Sequence, residues 1–324
     1  MAVYTRLTPA QFAELMTRYQ LGLLLDAQEI AEGVENSNYL IRTQRDAEPP
    51  RHLILTLFEK RVDTACLPFY LGITQHLAAA GLPTPQPLYT QEGENFTEIA
   101  GKKAAIVTFL SGTSVRHSEV GHLASLGEAQ ARMHLAAADF TLERPNDLSL
   151  AGWEKLVSRI GERAEDIMPG LTALLKEEHA FLAAHWPNDL PSGVIHADLF
   201  PDNVFFLGQT VSGIIDFYFA CNDLFMYDLV ITLNAWCFER DSSFNLTKAR
   251  AFLHAYDRVR PLSDEERTAL PVLARGAAFR FLLTRAYDWL HREEGALVTP
   301  KDPMEYVRKL RFHQHIHEAC EYGL

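Results

Sequence analysis

Cysteine is scarce. The four, Cys66, Cys221, Cys237 and Cys320, are scattered with no CxxC pair, which excludes a disulfide framework and gives no zinc-site spacing. No apolar run approaches the roughly 20 residues a membrane helix needs. The first residues, MAVYTRLTPAQFAEL, have no apolar core of a secretory signal peptide. Basic residues are the minority, 30 Lys plus Arg against 42 Asp plus Glu, a net charge of −12. Nucleic acid is disfavoured as a partner, because phosphate contacts need clustered Lys and Arg. There is no internal repeat and no low-complexity tract. What remains is 324 residues, 48% of them apolar, enough for a sizeable core in one or two domains. The expectation is a cytoplasmic protein with reduced thiols and no membrane or nucleic-acid partner. The sequence leaves oligomeric state open.

Two regions differ in pattern. Thr8 caps a helix with Pro9 at its first position and Phe12, Leu15, Met16 and Tyr19 on one face. Residues 26–31 and 37–43 read as short strands around the turn-rich EGVENSN, and 52–58 as a third strand. A helix over 67–80 is stopped by Gly81 and Pro83. Strands over 96–99 and 104–109 complete a small, mainly antiparallel sheet with a helix inserted after its third strand. Leu110-Ser111-Gly112-Thr113 is a natural joint, which divides the chain into residues 1–110 and 111–324. Beyond it the periodicity is helical: from about 120, over 171–185, then 223–236, 246–258 and 271–291. One β-rich patch interrupts it near 193–217. The fold class expected is α+β, a small β lobe followed by a larger helical lobe.

The informative stretch is Val194-Ile195-His196-Ala197-Asp198-Leu199-Phe200-Pro201-Asp202-Asn203-Val204-Phe205-Phe206. An apolar strand ends at His196, with Asp198 and then Asn203 following. A further strand ends in Asp216-Phe217. Phosphoryl transfer from ATP needs a carboxylate for the acceptor hydroxyl and oxygen ligands that hold Mg²⁺ against the phosphates. Asp198 can do the first; Asn203 and Asp216 can do the second. The H-x-D-x4-N spacing and the later Asp match the protein-kinase template. The competing reading is an Asx-rich hairpin turn, which explains the turn residues but not His, two Asp and Asn together at this spacing.

VIHADLFPDNVFF followed by GIIDF resembles the catalytic and metal loops of the kinase-like phosphotransferases, which include aminoglycoside phosphotransferases, choline kinases and homoserine kinases. GVENSNYLI, LTLFEKR, GLPTPQPL, IIDFYFACNDLFMYDLVITLNAWCF and FRFLLTRAYDW look like the bacterial homoserine kinase branch, over residues 30–290. The resemblance implies a protein-kinase-like two-lobed fold. It also implies a small-molecule substrate, L-homoserine, phosphorylated by ATP with Mg²⁺ to O-phospho-L-homoserine in threonine biosynthesis. The alternatives are a kinase of another small alcohol, such as choline or an aminoglycoside, or a nucleotide-binding regulator without turnover. Carried over to this chain, Asp198 is the catalytic base, Asn203 and Asp216 are the Mg²⁺ ligands, and His196 braces the loop. Asp228 resembles the Asp that anchors the catalytic loop from the following helix.

The nucleotide side is less regular. EGVENSNY stands where a phosphate-covering hairpin belongs, with one glycine; Asn36 and Ser37 are its candidate phosphate donors, against an ordinary turn. Thr56 occupies the place where relatives carry a basic residue, so Lys60 is the candidate phosphate lysine, against a solvated surface lysine. The helix over 67–80 has no Glu or Asp, so the usual Lys–Glu pair of kinases is not evident. Val107-Thr108-Phe109-Leu110 is the expected hinge, with Phe109 at the adenine.

A carboxylate-bearing acceptor calls for Arg, whose planar fork matches two oxygens. Arg280 and Arg285 stand in an otherwise apolar helix, costly unless paired or used. They are five apart, about 140° around the axis, so at most one can face the acceptor and the other pairs with a carboxylate. Asn234 and Trp236 are further candidates for the acceptor pocket.

Overall fold

The computed structural model describes residues 4–30, 36–59, 63–292 and 300–324. The chain divides into two compact units. The first gathers residues up to Gly112 together with Ser212–Tyr218, and the second holds Thr113–Val211 and Phe219–Leu324.

In the first unit, helix α1 (Pro9–Arg18) starts on a capping box in which Thr8 and Gln11 satisfy each other's backbone N–H. Strands β1 (Leu23–Ile30), β2 (Ser37–Gln44) and β3 (Arg51–Leu57) precede helix α2 (Leu67–Ala79), and β4 (Thr97–Ile99) and β5 (Lys102–Thr108) follow it. They form one antiparallel sheet in the order β1-β2-β3-β5-β4. Period-two alternation sends Leu53, Leu55 and Leu57 to the face that packs on Phe12, Leu15 and Met16 of α1. Phe58, just past β3, meets the Tyr218 ring edge-on at 5.5 Å, and Tyr218 meets Tyr70 of α2 at 5.7 Å. Residues 212–218 thus join this unit although they lie far along the chain. β1 starts earlier than its sequence pattern indicates, at Leu23 rather than Asp26.

The second unit contains α3 (Val120–Ala136), α4 (Leu150–Ile160), α5 (Leu171–His185), β6 (Ser192–Ile195) and β7 (Val204–Leu207). Strand β8 (Thr210–Ile214) crosses into the first unit. Then come β9 (Cys221–Leu224), α6 (Phe225–Trp236), α7 (Leu246–Val259), α8 (Asp264–Leu290) and α9 (Met304–Gln314). β6 pairs antiparallel with β9, Val194 opposite Asn222. Gly127 permits the close approach of α3 and α7: a Cβ there would stand 2.2 Å from the Phe252 carbonyl oxygen.

Two sequence expectations are corrected here. The helix expected from Asp223 begins at Phe225, because 221–224 is spent on β9 pairing. The helix expected from Pro271 begins at Asp264, where Ser263 and Glu266 form a capping box; Pro271 lies inside it. Helices α4 and α9 have no counterpart among the elements expected from the sequence. Among the described residues no helix is long and apolar enough to cross a membrane.

Candidate active site

The loop from β6 to β7 carries the H-x-D-x4-N motif within the second unit. β6 is buried at Val194 and Ile195, which fixes where the loop departs. His196 is fully buried and Ala197 adopts φ +62°. A non-glycine residue in that region is strained and persists only where its surroundings hold it. Here both neighbouring peptide groups are held by charge. The Ala197 N–H donates to Asp228 Oδ1 at 2.6 Å, and its carbonyl accepts from Arg280 Nη1 at 2.6 Å. The Asp198 N–H donates to His196 Nδ1 at 3.2 Å.

Past Asp198 the chain turns through a short helical turn at Pro201–Asn203. The Phe200 N–H donates to the Asp198 carbonyl at 2.8 Å, and the Asn203 N–H to the Phe200 carbonyl at 2.9 Å. The Asn203 amide nitrogen donates to the Asp198 carbonyl at 2.8 Å and to its Oδ2 at 3.3 Å. Asp198 and Asn203 are therefore together, with the amide oxygen of Asn203 turned away from this bond. Trp236 Nε1 donates to the Leu199 carbonyl at 2.8 Å and closes the loop from below.

Asp228 of α6 is the hub. Its Oδ2 accepts from the His196 N–H at 3.2 Å and from Gln130 Nε2 at 2.9 Å. His134 Nε2 also lies 2.9 Å from Oδ2, and His134 Nδ1 lies 2.6 Å from the Tyr256 hydroxyl. Burial pushes the Asp228 carboxyl up, but His134, the His196 neighbourhood and Gln130 outweigh it and hold it below the usual carboxylate value. Sequence reasoning named Asp228 and missed His134 and Gln130. Their only signal was polar residues on the inward face of α3, where apolar ones were expected.

Asp198 behaves differently. Burial pushes its carboxyl above the usual value, against the opposing charges of Arg280, His196 and Lys301. The Arg280 guanidinium is 2% exposed and lies over the Phe281 ring at 4.6 Å. It can keep Asp198 ionised without being displaced by water.

In the first unit, Asp216 has φ +66° and follows β8. Ser37 is fully buried: its hydroxyl accepts from the N–H groups of Tyr4 and Thr5 and donates to Glu59 Oε1 at 2.8 Å. Asn36 Oδ1 accepts from the Glu59 N–H at 3.2 Å. Both side chains are committed inside the unit, because a strand end leaves backbone donors that must be satisfied. Lys60 and residues 31–35 lie outside the described residues. A Lys–Glu pair does exist, formed by Lys102 Nζ and Glu59 Oε2 at 2.8 Å. Burial pushes the Glu59 carboxyl up, yet Lys102, Thr5 and Ser37 hold it below its usual value. This pair joins the start of β5 to the end of β3 and involves no residue of α2. Phe109 is 44% exposed at the end of β5, and its ring lies 5.9 Å from that of His52.

The acceptor candidates separate. Arg280 stands at the loop from β6 to β7. Arg285 Nη1 pairs with Glu305 Oε2 at 2.6 Å and donates to the Asp302 carbonyl at 3.2 Å. Asn234 is fully buried, its Nδ2 on the Ala274 carbonyl at 3.2 Å and its Oδ1 2.6 Å from His313 Nε2. Asn234 and Trp236, expected in the acceptor pocket, are buried on the apolar helix α6, where each side-chain polar group has a partner within the fold, as buried polar groups must.

Residues 26–262 match the phosphotransferase enzyme family. The chain is 55% identical to a homoserine kinase of Xanthobacter autotrophicus over 324 residues, which is 100% of this chain and 99% of the other. It is 54% identical to a homoserine kinase of Rhizobium rhizogenes with the same coverage of both. Its fold is similar to that of an amicoumacin kinase in complex with AMP-PNP, Ca²⁺ and Ami, with a TM-score of 0.66 at 16% identity, covering 94% of this chain and 92% of that one. That likeness gives the fold, the α+β arrangement of a kinase-like phosphotransferase.

Proposed function

The chain belongs to the phosphotransferase enzyme family, and from that premise we infer that it transfers the γ-phosphate of ATP to the side-chain hydroxyl of L-homoserine, giving O-phospho-L-homoserine. One observation carries the reading: likeness to homoserine kinases runs the whole length of both chains. The amicoumacin kinase is similar at the level of fold only. Choline, an aminoglycoside, or a nucleotide-binding role without turnover are therefore not favoured. The product belongs to threonine biosynthesis.

Asp198 is proposed as the base. Its carboxylate orients the acceptor hydroxyl and takes its proton as the oxygen attacks the γ-phosphorus. Arg280 serves it twice, holding the Ala197 carbonyl and favouring the ionised form. Asn203 and Asp216 are the proposed Mg²⁺ ligands: Asn203 would supply a neutral oxygen, its nitrogen being spent on Asp198, and Asp216 a charged one. One or two such ligands suffice for an ion that phosphates and water also hold. The ion held by these residues would supply charge neutralisation for the transferring phosphoryl group. On the nucleotide side, Phe109 at the hinge is the adenine candidate; Asn36 and Ser37 act through Glu59 rather than by their side chains on phosphate.

The test supplies ATP, Mg²⁺ and a panel of homoserine, serine, choline and an aminoglycoside, reading ADP release and the phosphomonoester by ³¹P NMR. Homoserine should be used best; equal or better use of choline or the aminoglycoside would sink the reading. Asp216→Ala should need more Mg²⁺ to approach its residual maximum, which a Mg²⁺ titration checks.

The electrostatics of Asp198 predict a pH effect. Its folded value is raised, so the acid limb of kcat/KM should lie above the ordinary carboxylate range. Arg280 opposes that rise, so Arg280→Met should move the limb to still higher pH, with activity lost first at the acid end. An acid limb that stays in place in Arg280→Met would separate Arg280 from the base.

A further inference from the structure

We propose that Lys301 selects acceptors that carry a carboxylate, pairing its ammonium with the carboxylate of homoserine while the hydroxyl is presented to Asp198. The proposal rests on the homoserine reading above and adds the residue that reads the substrate's negative charge.

A carboxylate acceptor needs a cation beside the catalytic loop that the fold has not already used. Arg280 is almost fully buried, with Nη1 on the Ala197 carbonyl. Arg285 is paired with Glu305. Lys309 is 4% exposed and divides its ammonium between Glu305 Oε1 at 2.6 Å and the Asn234 carbonyl at 2.9 Å. Lys301 is different. Its side chain is exposed, and it forms no ion pair among the described residues. Its Nζ lies 5.4 Å from the centre of the Phe200 ring, two residues along the loop from Asp198.

The backbone that carries Lys301 is fixed. Arg285 donates to the carbonyl of the adjoining Asp302, and Asp302 Oδ1 accepts from the Met304 N–H at 2.9 Å as α9 begins. The Phe200 ring is held from below by Phe281, centroids 5.0 Å apart, and Phe281 stacks on Tyr306 at 5.3 Å. The ammonium therefore sits on an anchored segment over an anchored ring, with a flexible stem that can turn it toward an incoming anion. Arg285, the arginine of the two that pairs with a carboxylate, acts as a positioning residue for this segment.

The experiment compares wild type, Lys301→Met and Lys301→Arg on homoserine and on 3-aminopropan-1-ol, which is homoserine without its carboxylate. Lys301→Met should raise the KM for homoserine about tenfold, leave the KM for ATP little changed, and lose far more on homoserine than on 3-aminopropan-1-ol. Lys301→Arg, which keeps the charge, should restore most of the homoserine KM. The proposal is overturned by an unchanged homoserine KM in Lys301→Met, by equal losses on both acceptors, or by a fall in kcat alone, which would place the charge on the phosphates. A wild-type protein that does not phosphorylate homoserine overturns the homoserine reading, and this proposal with it. An active wild type with an indifferent Lys301→Met overturns Lys301 alone.

Discussion

Asp198→Asn should lower turnover by about 10²-fold or more while the protein folds normally. The amide keeps the shape of the side chain, and the loop is held by groups the substitution does not touch: Asp228 on the Ala197 N–H, Arg280 on its carbonyl, Asn203 on the Asp198 carbonyl. What disappears is the carboxylate proposed to accept the proton. The stability effect has the opposite sign to the activity effect. Burial raises the Asp198 carboxyl in the folded state, so near neutral pH the fold bears a cost for keeping it charged. A neutral amide removes that cost, and the melting temperature should stay level or rise. Such a trade between activity and stability marks a residue kept for chemistry. Single-turnover kinetics with thermal melts would check both; turnover close to wild type in a folded Asp198→Asn protein removes Asp198 from the role of base.

Much of this arrangement is legible in the sequence, for definable reasons. The β3 face is legible because Leu53, Leu55 and Leu57 alternate with period two and one face is buried. α1 is legible because its cap is local: Thr8, Pro9 and Gln11 are adjacent in sequence. The catalytic loop is legible because its spacing is short and its residue types are dictated by chemistry. What is hidden is whatever depends on distant segments meeting. The Glu59–Lys102 pair joins the ends of two strands with α2 between them. His134 and Gln130 reach Asp228 from α3, more than ninety residues earlier in the chain. Ser37 looked like a phosphate donor in an exposed turn, yet the N-terminal segment folds over it and takes its hydroxyl. The period-3.6 pattern placed Asn234 and Trp236 on a helix without saying that this helix is buried all round. The start of α8 was misplaced because Pro271 resembled a first-turn proline, while the true start lay at Ser263 and Glu266.

Asp228→Asn should damage the protein in both stability and turnover. Four donors converge on the two carboxylate oxygens: the N–H groups of Ala197 and His196, Gln130 Nε2 and His134 Nε2. An amide offers one acceptor oxygen and a donating nitrogen. Whichever way it turns, an N–H meets another N–H inside a fully buried cluster, and a donor is left unsatisfied. The expected loss is about 3 kcal/mol of stability. The strained Ala197 backbone then loses one of its two charged holders, so the Asp198 carboxylate shifts, and misplacement on the order of an ångström costs about 10²-fold in turnover. The pH dependence has a definite sign. The folded Asp228 carboxyl is held below its unfolded value of about 3.9, so its contribution is present above that pH and is lost as pH falls through the folded value. Wild type and Asp228→Asn should therefore differ most near neutral pH and converge as acid protonates the native carboxyl. Denaturant melts across that range, paired with kcat measurements, read both effects. A variant that matches wild type in midpoint and kcat at neutral pH would mean that the loop is held by other contacts.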